Sequence, residues 1–429
     1  MPIGCSRHNP TVESLRRHNH FVKNLTYHTG MRKAYDPLRY PNLSSLTVRT
    51  KEDVVLYLYQ YGQLRDLEIH GDIIPALRPV WKPAHPMPNL LSLKIDQMDI
   101  HRAATEVFWD LCTRLHSLDI QRTGIARLPG KSMKFERLLR LNVSLQSEHT
   151  YDQVLDWITQ CPNLTELHWG YTKRRTAPCD TFANRVANGT WPGLNELRLK
   201  HFYQQEANPA RIAQGMRQIR TLCMNGYRFG MTCLTALRPH FDTLRVLNIK
   251  FDSSVAGPAF SEILASCPHL EDLTLSRVTS QDIIQGRPWV CGRSMRVLRL
   301  NVMISPGQDT DRHQQLVLER VSQLVNLVSL TLDHYSSLQS ACLCLRLGKG
   351  LEQLSTLKHL MRLSIINYHY ELAQADVQET IKAIDDRVAL ILKEAGVSAN
   401  NHTTTYSALL TSILSTLNRK VGPSQHSFS

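Results

Sequence analysis

The residues of this 429-residue sequence best suited to chemistry are charged side chains that recur at one place in a repeated phrase. Lys94, His168, Arg198, Lys200, Lys250, Arg299 and Asp333 each flank the last apolar residue of a short apolar pattern, as do the acidic Glu68, Asp96 and Asp119. Alternate positions of a strand share a face, so these groups are expected to line one surface, acidic toward the amino end and basic in the middle. Ammonium, guanidinium and carboxylate groups in such an array suit recognition of opposite charges rather than bond-making. Tyr171, Phe202, Tyr203, Tyr227, Phe229 and Phe251 follow the same strands. Some of these aromatics are expected to pack between turns, and the rest, exposed beside Arg and Lys, would have the composition of an interaction hot spot. The partner-binding set is read as Lys94, His168, Tyr171, Arg198, Lys200, Tyr203, Tyr227, Phe229, Lys250, Phe251 and Arg299.

No constellation for catalysis stands out. LGKGLEQL (347–354) holds a lysine between glycines but lacks the spacing and the Ser/Thr of a phosphate loop. There is no Gly-x-Ser-x-Gly elbow, no His-Glu-x-x-His pair and no EF-hand loop. Asp385 and Asp386 are adjacent, so on a helix they diverge and read as a solvated face. The basic run 173–175 reads as a loop. His18, His20 and His28 have no carboxylate or thiol cluster beside them, and Cys342 and Cys344 stand without partners at zinc spacing. The reading is a non-enzymatic protein with no cofactor and no metal.

Composition sets the partner classes. The formal charge of +13 admits an acidic partner, and it is spread along the chain rather than gathered in a tail. A protein is the expected partner. A nucleic acid or other acidic ligand, held by basic residues of the inner face, is the alternative. Ten cysteines are too sparse for a disulfide scaffold. Cys112, Cys161 and Cys267 each lie three residues before a repeat's first leucine and read as buried, reduced thiols at helix ends. The opening MPIGCSRHNP has no apolar run, and no stretch of about 18 apolar residues occurs anywhere. The expectation is a monomer, cytoplasmic or nuclear, with no membrane contact.

The elements that must position these residues come from one phrase: apolar, two variable residues, apolar, one variable residue, apolar. PNLTELHW (162–169) is a clear copy. Copies start at Val22, Leu43, Leu64, Leu90, Leu115, Leu138, Leu164, Leu194, Ile219, Leu244, Leu270, Met295, Leu327 and Leu360. The first and last starts lie 338 residues apart, thirteen intervals averaging 26, inside the roughly 20–29 of leucine-rich repeats. Each copy predicts a strand followed by a helical or irregular return. The returns include 101–115 with Ala104, Val107, Phe108, Leu111 and Leu115 at helical spacing, 151–161 with Val154, Trp157 and Ile158, and 257–267 with Phe260, Ile263 and Leu264. Trp109, Trp157 and Trp169 belong to these packing patterns. Intervals of 30, 32 and 33 residues after Leu164, Met295 and Leu327 read as inserted loops rather than lost repeats.

The fold expected is an α/β leucine-rich-repeat solenoid, a horseshoe with parallel strands on the concave face and helices on the convex face. Fourteen strands about 4.8 Å apart would give an inner surface on the order of 65 Å long. The organisation is read as a basic segment over 1–20, the solenoid over 21–371, a helical cap over 372–418, and a disordered tail over 419–429.

CPNLTEL, CPHLEDL and SMRVLRL resemble the repeats of cysteine-containing leucine-rich-repeat proteins, the ribonuclease-inhibitor-like superfamily. VESLRRHNHFVKNLTY and LRLGKGLEQLSTLKHLMRLSI resemble, more narrowly, the F-box/leucine-rich-repeat proteins abundant in early-diverging fungi. The resemblance covers roughly residues 10–375. It implies a substrate receptor: in that family an amino-terminal F-box binds the Skp1 adaptor of a cullin ubiquitin ligase, the SCF complex, and the repeats hold the substrate. Residues 1–20 are shorter than a three-helix F-box and lack its Leu-Pro opening. What carries over is the repeat half, a protein-recognition arc that reaches Skp1 and cullin only indirectly.

Overall fold

A computed structural model describes residues 17–28, 40–51, 62–71, 80–81, 87–145, 149–170, 180–200, 207–224, 229–304, 309–334 and 350–367. The expected cap (372–418) and tail (419–429), most of the basic segment, the run 173–175, and Cys342, Cys344, Asp385 and Asp386 lie outside the described residues. Sixteen strands and eight α-helices fall among those described, and every strand pairing in them is parallel. The chain divides into two compact units: Met1–Ala259 with Ser266–Thr274, and Phe260–Ala265 with Leu275–Ser429.

In the first unit the strands are β1 (Asn24–His28), β2 (Ser45–Thr50), β3 (Asp66–Gly71), β4 (Val80–Trp81), β5 (Ser92–Asp96), β6 (Asp99–Ile100), β7 (Ser117–Ile125), β8 (Arg140–Leu145), β9 (Glu166–Gly170), β10 (Glu196–Lys200), β11 (Thr221–Met224) and β12 (Val246–Asn248). They pair in the order β1-β2-β3-β5-β7-β8-β9-β10-β11-β12, and β12 pairs with the first residues of β13 (Asp272–Thr279). A small second ladder joins β4, β6 and the end of β7. Parallel neighbours need a crossover rather than a tight turn. Here α1 (Thr105–Cys112), α2 (Tyr151–Ile158), α3 (Asp180–Ala187), α4 (Ala207–Gly215) and α5 (Met231–Leu237) supply crossovers. Helix α6 (Ser253–Ser266), like β13, has residues in both units. The second unit holds α7 (Ser280–Gln285), β14 (Val297–Met303), α8 (Thr310–Ser322), β15 (Ser329–His334) and β16 (Arg362–Asn367), with β14, β15 and β16 paired in that order.

The register is that of the sequence phrase. The second apolar residue of each copy aligns without slippage as Leu46, Leu67, Leu93, Leu118, Leu141, Leu167, Leu197, Leu222, Leu247 and Leu273, and all are buried. Leu298, Leu330 and Leu363 continue the register in the second unit, the first two buried and Leu363 half-buried. The first apolar residues are buried too, from Val22 to Leu327, whereas Leu360 is only half-buried. Strands on either side of the long intervals are direct neighbours: β9 with β10, β14 with β15 and β15 with β16. No repeat is missing between them.

Backbone and side-chain links tie each copy to the one before. At the entry to the strands one carbonyl accepts two N–H groups from the next copy. Leu139 O, for example, accepts from Thr165 at 2.8 Å and Glu166 at 3.1 Å, and Thr165 O accepts from Asn195 at 3.0 Å and Glu196 at 3.1 Å. The asparagine of the Pro-Asn-Leu phrase adds a third link. Asn42, Asn89 and Asn163 donate from Nδ2 to the carbonyls of His20, Gly62 and Glu136, at 2.8, 2.5 and 2.8 Å. Asn326 does the same to Arg293 in the second unit, at 2.7 Å. Side-chain caps of this kind satisfy carbonyls that water would otherwise have to serve.

The helices bury the faces their spacing predicts, with one exception. Val154, Trp157 and Ile158 of α2 are buried, and its start is closed by a capping box: Thr150 Oγ1 accepts from the Gln153 N–H while Gln153 Oε1 accepts from the Thr150 N–H. Phe260, Ile263 and Leu264 of α6 are likewise core. In α1, Val107 is exposed. The buried arc runs instead through Thr105, Phe108, Trp109 and Cys112, and the Trp109 indole N–H donates to Arg127 O at 2.9 Å. Trp109 packs on Trp157 with centroids 4.9 Å apart, and Trp169 stacks on Tyr151 at 4.8 Å. Cys112 ends α1, Cys161 follows α2 and Cys267 follows α6. All three are buried and none is joined in a disulfide, and burial raises the pKa of the Cys112 and Cys161 thiols well above its ordinary value.

Candidate functional site

Because Leu and β-branched residues turn inward, the intervening residues of the first unit's sheet turn outward in rows that cross the strands. Two patches of charge lie on this face. In the first, register sets Glu68 of β3 beside Lys94 of β5, and Lys94 beside Asp119 of β7. One row further along, His70 lies beside Asp96 and Asp96 beside Gln121. Signs alternate, and the side chains interlock. Lys94 forms an ion pair with Glu68. His70 Nε2 lies 2.8 Å from Glu68 and its Nδ1 3.7 Å from Asp96. Arg122 donates to both oxygens of Asp96, from Nε at 3.0 Å and Nη2 at 2.7 Å.

The pKa directions follow. Burial pushes the Glu68 carboxyl up, but the Lys94 hydrogen bond and charge, with His70, outweigh it and hold the group below its ordinary value. The Glu68 hydrogen bond raises Lys94 despite desolvation. Asp119 is raised, chiefly by burial. Backbone conformation helps to build the patch: Gln97 and Arg122 both have positive φ, 57° and 48°. That left-handed conformation is unusual for non-glycine residues; Arg122 takes it at the irregularity between Gln121 and Thr123 within β7, from which its guanidinium reaches Asp96 of the neighbouring β5. Among the described residues, no group of three or more His, Cys, Asp and Glu could hold a metal ion.

The second patch lies on β9 and β10. Here register sets Glu166 beside Glu196 and His168 beside Arg198, with Lys200 at the strand end beside Gly170. Like faces like at Glu166 and Glu196, and Arg198 faces a histidine rather than a carboxylate. Among the described residues no ion pair engages Glu166, Glu196, Arg198 or Lys200. Arg198 Nη1 reaches only Cys223 Sγ, at 3.5 Å, and His168 Nε2 and Arg198 Nε have no hydrogen-bond partner among the described residues. Burial, then the Arg198 and Lys200 charges, lowers His168 to about 4, so its ring is neutral near pH 7. Burial and the Glu196 charge raise Glu166, only partly offset by Arg140 and Arg198.

Family models and curated proteins give no match to this chain. The site therefore rests on its own geometry.

That geometry sorts the residues expected from sequence. Lys94 belongs to the first patch; His168, Arg198 and Lys200 form the second. Lys250 lies just past β12 and is exposed. Arg299 is exposed on β14 of the second unit, level with Thr331 of β15. Asp333 lies in β15, in register with Asn301 and Ile366. Phe229 and Phe251 are a correction: they are 0% and 1% exposed, bridge as neighbouring extended residues, and pack edge-to-face at 5.9 Å. Burial removes both from any docking surface. Tyr171, Phe202, Tyr203 and Tyr227 lie outside the described residues.

Sequence reasoning missed Arg122, Glu166 and Glu196. The last two carry a legible signal, since Leu-Thr-Glu-Leu and Leu-Asn-Glu-Leu put a carboxylate at one phase in consecutive copies. Arg122 has no such signal, because its place depends on a left-handed turn.

Proposed function

We propose that this chain is a leucine-rich-repeat solenoid and works as a non-enzymatic protein-recognition scaffold, related to the repeat half of F-box/leucine-rich-repeat substrate receptors. The observation that carries the reading is the leucine ladder of the first unit. It holds the backbone fixed while the outward residues change from strand to strand, from Glu68, Lys94 and Asp119 to His168 and Arg198. A frame built this way spends its variability on a surface, which is how a protein partner is chosen. Nucleic acid fits less well, because phosphates brought to Arg198 and Lys200 would also meet Glu166 and Glu196.

The test is affinity purification of the full chain beside an Arg198→Glu/Lys200→Glu variant, at low and high salt and with nuclease. A stoichiometric protein complex that survives salt and nuclease, and weakens in the variant, supports the reading. Skp1 and cullin in that complex would extend it to a ubiquitin ligase. Recovery of nucleic acid alone, lost on salt or nuclease, would overturn it. Among the described residues no helix is long and apolar enough to cross a membrane.

A further inference from the structure

The outward face of β9 and β10 has a charge pattern that the fold does not need. Strands lie about 4.8 Å apart, and like charges directly opposite one another destabilise a sheet. Register nevertheless brings Glu166 against Glu196, and gives Arg198, with Lys200 beyond it, a histidine rather than a carboxylate as its β9 neighbour. The neighbouring strands do not compensate. On the β11 side Glu196 meets Thr221 and Arg198 meets Cys223; on the β8 side His168 meets Asn142, and only Arg140 offers Glu166 an opposite charge, without forming an ion pair. The same sheet solves the problem elsewhere, where Glu68, Lys94 and Asp119 alternate in sign. The β9–β10 pattern is thus a local choice, not a tolerance of the fold.

Resting on the protein-recognition reading, we infer that this face docks an extended segment of a partner protein that carries a basic side chain and an acidic side chain two residues apart. The basic group sits between Glu166 and Glu196, and the acidic group against Arg198 and Lys200. Spacing decides the pairing. Glu166 and His168, like Glu196 and Arg198, are two residues apart on their strands, about 7 Å, and same-face residues of an extended partner have that separation. Charge decides the class. A polyanion gains at Arg198 and loses at Glu196, a polycation does the reverse, and only a segment bearing both signs relieves both rows. His168, neutral near pH 7, lies in the Arg198 row with Nε2 unpaired among the described residues, as a hydrogen-bonding group for the partner's backbone.

The experiment is selection of random linear 12-residue peptides on the full-length protein, then affinity measurement of the enriched peptides. The expected result is enrichment of base–acid pairs at i and i+2. Their affinity should fall about three- to tenfold in Glu166→Gln/Glu196→Gln and again in Arg198→Ala/Lys200→Ala, as befits partly exposed charge pairs. Melting temperatures show whether each variant is folded, and the Gln variant is expected to melt no lower than the wild type. Enrichment of only acidic or only basic peptides, of other spacings, or of nothing overturns the inference. Peptides that bind equally well to both variants overturn it while leaving protein recognition intact, because they then dock elsewhere on the chain.

Discussion

The two charged patches of the first unit share one backbone and differ in one respect. Around Lys94 the register joins opposite charges, whereas on β9 and β10 it joins Glu166 to Glu196 and leaves Arg198 without an acidic neighbour. In the first patch Glu68, His70, Lys94, Asp96 and Arg122 satisfy one another. Such a network contributes to stability and leaves little free charge for a partner. In the second, the charges cost the fold a little and stay available. The difference teaches that charge density alone is a poor guide to an interaction surface. What matters is whether the neighbouring strand has already answered it.

The sharpest check on this comparison asks whether the two patches really rest on equal frames. Leu93→Ala and Leu197→Ala remove equivalent buried rungs beneath the first and second patches. Each should cost about 2–5 kcal/mol in denaturant unfolding of the unit. A much smaller loss at either site would mean that the patches differ in their support as well as in their charge.

A smaller effect separates the patches directly. Asp96→Ala removes the carboxylate that holds both Arg122 oxygen contacts and neighbours His70. It should destabilise by about 1–2 kcal/mol, limited by solvent at the half-exposed guanidinium. Unchanged stability would break the claim that the first patch is structural.

Acid should act on the two patches in different ranges. Glu68 is lowered from 4.5 and Lys94 raised from 10.5, so the stability they add is complete between those values. It is lost only as pH falls through the folded value of Glu68 or rises through that of Lys94. His168 is lowered from 6.5 to about 4. As pH falls through 6.5 the unfolded chain binds a proton there that the folded chain refuses until about pH 4, so stability drops across that interval and then levels. Glu166, raised from 4.5, works the other way, since its folded form takes up a proton first. The readout is therefore a difference: melting temperature should fall less between pH 7 and pH 5 in His168→Gln than in the wild type. Parallel curves would remove the imidazole from the account.

The smallest effect has the opposite sign to most substitutions. Glu196→Gln relieves the repulsion of Glu166 and should leave stability unchanged or raise it by about 0.2–0.5 kcal/mol, with the Glu166 carboxyl titrating closer to its usual range in NMR. A loss of stability would show that the two carboxylates are reconciled by something other than distance.

Much of this is legible in the sequence. The spacing of Leu164, Leu167 and Trp169, repeated in copy after copy, fixes which side chains turn inward, and a period-2 strand then fixes which turn out. Aligning the copies is enough to set Glu166 beside Glu196. What the spacing does not carry is the path of the chain beyond the strand. Phe229 and Phe251 look like rim aromatics in the sequence, yet an extra bridge past β12 folds them into the core. Val107 fits the helical spacing, but the buried arc of α1 is centred on Thr105, Phe108, Trp109 and Cys112 and leaves Val107 beyond its edge, in solvent. Arg122 reaches Asp96 only because its backbone turns left-handed.

The forked carbonyls have an evolutionary consequence. Among the described residues every such link within the first unit runs one way, with the later copy donating and the earlier accepting, as from Glu196 to Thr165 and from Arg245 to Arg220. A copy duplicated or excised between two others would leave matching donors and acceptors at the new junction. Gene-level gain or loss of a whole copy would then move an entire row of outward residues at once while the joint beneath it stays sound, so such a chain can acquire a new partner by shuffling copies as well as by changing residues one at a time.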